Sequence, residues 1–207
     1  MDAVIVSNAR TIDLYNLTVQ AIETSGVNCV VVEQQKVDYD NALTLHYDFP
    51  FNYNKCLNLG YKHTTGNVAF CNNDLIFGKG WTGIEKHFDK YGSLSALNPG
   101  WGFHAGFTGI REGYNVGREL CGWCLIVSRE TMEITGGFDE DVEFWCSDNI
   151  WAEELMYHGI KHALICDYEV KHLTSKTLGS GLPRELSSHY TGGQAAIFNE
   201  ARKKYVK

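Results

Sequence analysis

Short apolar runs alternate with amphipathic stretches along the first third of the chain, and the alternation predicts a parallel α/β arrangement. Ala3 to Val6 forms an apolar run ended by Ser7-Asn8, after which Ile12, Leu14, Leu17, Val19 and Ile22 recur at near-helical spacing until Ser25-Gly26. A second apolar run, Val27 to Val32, follows at once. Strand, helix and strand joined this tightly make a parallel βαβ unit with a right-handed crossover. Both strands read as continuous apolar runs, so each is expected to be buried on both faces. Residues 36 to 51 are polar and irregular and predict no regular element; Tyr53, Cys56, Leu57 and Tyr61 then mark a helix that ends by Gly66. Val68 to Cys71 is a third buried strand, stopped by Asn72-Asn73-Asp74. Open α/β sheets bind ligands beyond the carboxyl ends of their strands, so the ends at Ser7-Asn8, at Glu33 and at Asn72 to Asp74 predict one shared crevice.

Further along, a helix is predicted over Trp81 to Tyr91 and a strand over Ser93 to Leu97. Residues 100 to 118 hold six glycines, four aromatic residues and Arg111 without periodicity, a composition suited to a functional loop. Cys124 to Val127 predicts a strand, and Asn149 to His158 an amphipathic helix ended by Gly159. Ala163 to Cys166 and Tyr168 to Val170 predict a last pair of strands leading to His172. No internal repeat or second core is visible. The division expected is a single domain over residues 1–173, followed over 174–207 by a flexible Ser/Gly-rich lid and a C-terminal helix from Ala195 to Tyr205 with a basic end.

Charge and composition narrow the function. Asp and Glu number 25 against 18 Lys plus Arg, for a net charge of −7. Four of the cations, Arg202, Lys203, Lys204 and Lys207, sit at the extreme end, so residues 1 to 201 carry 14 positive and 25 negative charges, net −11. Such a body is unsuited to coating nucleic acid through its phosphates. The seven cysteines are odd in number and scattered in mostly apolar surroundings, as reduced core thiols are. No basic leader or long apolar run opens the chain, and no stretch approaches the 18 or so apolar residues of a membrane helix. A soluble protein of a reducing cytosol is expected.

Candidate chemistry lies at a few positions. Asn72-Asn73-Asp74 sets a carboxylate and two amides beyond a buried strand; a hard divalent cation takes such oxygen ligands, but Asn and Asp are equally common turn formers. Asp148, in Trp145-Cys146-Ser147-Asp148, enters a helix as either an N-cap or a general base flanked by aromatic residues. His172 ends the last strand. Cys121-Gly122-Trp123-Cys124 has half of a zinc spacing without a second half. No Walker or nucleophile-elbow pattern is present.

Taken in order, these segments make the chain resemble a family-2 type glycosyltransferase of the GT-A fold over residues 3 to 175, in the small stand-alone form often encoded by bacteriophages. Val4 to Asn8 resembles the first strand, and Val30 to Glu33 the second, with Glu33 where Asp is commoner. Phe51 to Lys55, followed by Asn58, Gly60 and Thr65 to Asn67, resembles the helix and turn before the metal strand. Asn72-Asn73-Asp74 matches the Asp-x-Asp position with the first Asp replaced by Asn. Gly122 to Arg129, followed by Gly136 to Glu140, resembles the family's most recognisable segment. Ser147-Asp148 stands eleven residues before Gly159, as the family's Glu-Asp pair does, with Ser147 for Glu. Val170-Lys171-His172 matches the strand-end His.

The resemblance implies an α/β fold with a mixed, mostly parallel sheet flanked by helices, and inverting transfer from a nucleotide-diphosphate sugar, in the first place a UDP-sugar. It implies Mn²⁺ or Mg²⁺ held by Asp74 and His172, Asp148 as the base, and donor contacts from Ser7, Asn8, Glu33, Asn54, Lys55, Asn72 and Asn73. Trp123 and Trp145 fall to the acceptor, a saccharide or, in a phage and against the net charge, a hydroxylated base in DNA; a viral chain would act in the host cytoplasm. Two other classes compete: a catalytically idle nucleotide-sugar binding module, given the replaced acids, and a nucleotidyltransferase, for which the basic triphosphate loop is missing.

Overall fold

The computed structural model describes residues 1–173 and 194–206. Its centre is a nine-stranded sheet. The strands are β1 (Asp2–Ser7), β2 (Asn28–Glu33), β3 (Ala42–His46), β4 (Val68–Asn72), β5 (Leu75–Phe77), β6 (Ser93–Leu97), β7 (Ile110–Glu112), β8 (Cys124–Val127) and β9 (His162–His172). They lie in the order β3-β2-β1-β4-β8-β6-β9-β5, with β7 also paired to β9. β3, β2, β1 and β4 run parallel, and β6 and β9 share their direction; β8, β5 and β7 run against them.

Alternation along each buried strand builds two cores. Ala3, Ile5, Val31, Ala69, Cys71 and Ile126 point to one face, where they meet Ala21 and Ile22 of helix α1 (Ile12–Ser25). Val4, Val6, Val30, Val32, Phe70, Leu125 and Val127 point to the other, covered by helices α2 (Tyr53–Tyr61) and α4 (Ser147–His158) through Leu57, Trp151 and Leu155. Helix α2 lies so close that a Cβ on Gly60 would stand 2.4 Å from Val4 Cγ1. The helix ends are written locally: Thr11 accepts from the Leu14 amide at 3.3 Å, and Asn52 from that of Lys55 at 2.9 Å.

Several elements differ from the expectations. Residues 36 to 51 contain β3, a half-exposed edge strand whose mixed burial left no continuous apolar run to read. β5 follows the Asn72–Asp74 turn at once and is only three residues long. The helix expected over Trp81 to Tyr91 winds as a 3-10 helix over residues 81–89, and Arg129–Thr135 forms helix α3, capped by Ser128, which was not predicted. The predicted last pair of strands is the single strand β9, whose pairing with β6 shifts register between Ala96 and Leu97. The terminal helix is α5 (Gln194–Ala201), continued by a 3-10 turn over Arg202–Tyr205; the expected lid over 174 to 191 lies outside the described residues. All seven cysteines are free, five of them buried. No helix among the described residues is long and apolar enough to cross a membrane.

Candidate active site

A cleft of about 540 Å³ opens at the carboxyl ends of β1, β2 and β4. One wall carries Ser7, Asn8, Arg10 and Gln34; the opposite wall carries Trp101, Gly122, Trp123 and the entry to α4; Asn72, Asn73, Asp74 and His172 lie between them. The antiparallel strand β8 begins where its neighbours end, which is why Trp123 reaches the same mouth.

Pairing of β5 with β9 sets Leu75 opposite His172, and so brings Asp74 beside that histidine. His172 Nε2 stands 3.0 Å from Asp74 Oδ1 and 3.4 Å from Asn72 Nδ2. The Tyr53 hydroxyl donates to Asn72 Oδ1 at 2.9 Å, and the indole of Trp123 stacks on the His172 ring, centroids 5.3 Å apart and planes 14° from parallel. The imidazole is thereby held by an acid on its edge and an aromatic ring on its face. One carboxylate and one imidazole side by side are donors that accept Mn²⁺ or Mg²⁺ alongside substrate phosphates and water. Among the described residues no group of three or more His, Cys, Asp and Glu gathers to hold a metal; Asp74 and His172 stand together as a pair, with Asn72 beside them.

Asp148 reaches the cleft by a different route. It is the second residue of α4 and not its cap: the cap position is Cys146, which offers no side-chain bond and adopts the left-handed region at φ 70°, a conformation that costs a non-glycine residue about 1 kcal/mol or more and persists where surroundings enforce it. The Ser147 hydroxyl donates to Asn54 Oδ1, tying the helix entry to α2. Asp148 Oδ1 accepts from the Asn149 amide at 3.0 Å. Gly122 packs against the carboxylate, where a Cβ would come within 2.7 Å of Asp148 Cβ and Oδ2. Burial raises the Asp148 pKa to about 6, and hydrogen bonds from the Asn149 and Asp148 amides only partly offset it.

Of the residues expected to contact the donor, Ser7, Asn8, Asn72 and Asn73 line the cleft, as do Trp123 and Trp145 of the acceptor set. Three do not. Glu33 is fully buried; its carboxylate accepts from the Ala9 amide at 3.1 Å, the Gln35 amide at 2.7 Å and the Tyr39 hydroxyl at 2.8 Å, and so holds the ends of β1 and β2 together. Asn54 is equally buried and bridges Ser147 to the Asp139 carbonyl, 2.8 Å from its amide nitrogen. Lys55 is exposed, with its ammonium 4.4 Å from the Phe49 ring centroid. Arg10, Gln34, Tyr53, Trp101 and Gly122 also line the cleft and were not among the expected site residues. Each lies outside an acidic motif, and the close approach of Gly122 to Asp148 has no local signature.

The fold has solved counterparts. No protein-family model and no curated protein sequence matches the chain. A crystal structure of GalNAc-T7 with UDP, GalNAc and Mn²⁺ superposes with a TM-score of 0.62 at 10% sequence identity, over 83% of this chain. The chain spans 42% of the length of that protein. The fold is therefore of the GT-A type.

Proposed function

We propose that the chain is a nucleotide-sugar-dependent glycosyltransferase of the family-2 type that transfers its sugar with inversion. The observation that carries this reading is the meeting of the Asp74–His172 pair and Asp148 in one strand-end cleft. The GalNAc-T7 structure of the same fold holds UDP, GalNAc and Mn²⁺, which supports a nucleotide-sugar donor here, in the first place a UDP-sugar.

Ser7, Asn8 and Asn73 line the donor side, where Arg10, the one Lys or Arg lining the cleft among the described residues, supplies charge for a diphosphate. Asp74 and His172 would hold Mn²⁺ or Mg²⁺, whose Lewis-acid charge would stabilise the departing diphosphate. Asp148 accepts the proton of the acceptor hydroxyl as its oxygen attacks the anomeric carbon; a pKa of about 6 leaves the carboxylate ionised near neutrality yet basic enough for the task. Among the described residues the lining carboxylates are Asp74 and Asp148, and with Asp74 engaged by His172 a single base acting in one displacement accounts for both. Six aromatic side chains, Phe51, Tyr53, Trp101, Trp123, Phe144 and Trp145, line the cleft, and aromatic faces suit the apolar faces of sugar rings. A DNA acceptor needs cations along its phosphates, so a saccharide fits this wall better.

The decisive experiment follows nucleotide-sugar turnover with Mn²⁺ in the wild type and in Asp148→Asn. Turnover should fall by about 10² to 10⁴ while nucleotide-diphosphate binding persists. Unimpaired turnover in the variant removes Asp148 as the base; binding without turnover in the wild type identifies an idle nucleotide-sugar binding module, the alternative that Asn72 and Ser147 in acid positions keep in play.

A further inference from the structure

The basic end of the chain carries Arg202, Lys203 and Lys204 on its last described turn. In the structure it closes on the segment that carries Asp148. Lys204 Nζ donates to both carboxylate oxygens of Asp139, at 3.0 and 2.9 Å, and to Asp141 Oδ2 at 2.5 Å. The Tyr205 hydroxyl donates to Asp139 Oδ2 at 3.1 Å. The Asp139 side chain is only 5% exposed, so this is a largely buried carboxylate met by a cation and a hydroxyl, unlike a solvated surface pair. Arg202 reaches α4 directly, 2.8 Å from Glu153 Oε1. Beneath these polar contacts, Ala201 packs with Val142 and Ile150, and Ile197, Phe198 and Tyr205 cover them.

The contacts bracket Asp148 on both sides. Asp139, Asp141 and Val142 precede it; Ile150 and Glu153 follow it. From Asp139 the path to the base is short: its carbonyl accepts from Asn54, and Asn54 Oδ1 accepts from Ser147, the neighbour of Asp148. Between Val142 and Ile150 lies Cys146 with its left-handed backbone, a conformation that needs its surroundings to impose it.

We infer that the C-terminal segment is a clasp, with Lys204 and Tyr205 as positioning residues that act through Asp139, Asn54 and Ser147 to hold Asp148 against the acceptor side of the cleft. The inference rests on the proposed role of Asp148 for its kinetic consequence, and on geometry alone for its mechanical one. Misplacing a reacting group by about 1 Å costs up to 10²-fold in rate, so a loosened clasp lowers kcat. None of these clasp contacts falls on β1, β4 or β9, which build the donor side, so the donor KM stays constant.

The test compares the full chain with Lys204→Gln/Tyr205→Phe and with Lys204→Arg. Amide hydrogen exchange over residues 139 to 150 and donor kinetics with Mn²⁺ are measured for each. The clasp requires faster exchange in 139 to 150 and in the terminal segment 194 to 206 of the double variant but not elsewhere, kcat lowered about tenfold or more with the donor KM within about twofold, and wild-type exchange and kcat in Lys204→Arg. Unchanged exchange in 139 to 150, uniformly faster exchange across the domain, or an unchanged kcat despite local loosening overturns it. Should the wild type turn over no nucleotide sugar, the exchange pattern still decides the clasp, and only the proposed transferase activity fails.

Discussion

The two halves of the cleft are built on opposite plans. The half proposed to hold a metal, Asn72, Asp74 and His172, sits where strands end, and neighbouring strand pairs set its geometry: the β5–β9 register brings Asp74 to His172. The half that carries Asp148, the proposed base, hangs on the entry to α4 and is placed by contacts from far along the chain: Asn54, 93 residues before Ser147, Gly122 against the carboxylate, and Lys204 and Tyr205 on Asp139. A side chain at a strand end inherits the precision of the ladder. One on a loop-to-helix entry has to be held from outside, and it tolerates fewer changes in its neighbours.

That contrast is open to test by breaking each half separately. The largest effect is expected at Asp148, the proposed base: in the wild type kcat should rise through about pH 6 as Asp148 ionises, and Asp148→Asn should lose both the rate and this acid limb. Next comes Gly122→Ala, whose methyl would stand 2.7 Å from Asp148; kcat should fall about 10²-fold with nucleotide-diphosphate affinity unchanged, as read by turnover and calorimetry. Asp74→Asn should do the reverse. It should weaken Mn²⁺-dependent nucleotide-diphosphate binding by about tenfold or more, and metal-free binding should hardly move.

The smallest effect is on stability, and its sign follows from linkage. The folded pKa of Asp148 is raised from the ordinary 3.8 to about 6, so the fold favours the protonated acid. This contribution is fully present below about pH 4 and is lost as pH rises through 6, at a cost of roughly 1 to 3 kcal/mol at neutrality. Asp148→Asn should therefore be more stable than the wild type at pH 7 by about that amount, and the gap in denaturation midpoints should close by pH 4. A gain in stability beside a loss of rate would mark Asp148 as a group held where the reaction needs it.

Legibility of the sequence divides along the same line. β1, β2 and β4 are runs buried on both faces, so their apolar residues stand together in the chain, and the strand-end positions Ser7, Asn8 and Asn72 to Asp74 followed from where the runs stop. β3 escaped because an edge strand is half exposed and its pattern is mixed. Glu33 has the residue type for a ligand contact, yet Ala9, Gln35 and Tyr39 saturate its carboxylate inside the fold. An acidic residue at a strand end does not announce which partner it will meet.

The sequence by itself determined the α/β class, the strand-end crevice, and Asp74, Asp148 and His172 as residues with the chemistry for a site. Burial periodicity and capping act over a few residues, so a linear reading captures them. Tertiary structure decided the rest: that His172 closes on Asp74, that Glu33 and Asn54 brace the walls instead of lining them, that Asp148 lies in surroundings that raise its pKa, and that the basic terminus grips Asp139. These depend on distances between residues far apart in the chain, which packing sets and no local pattern encodes.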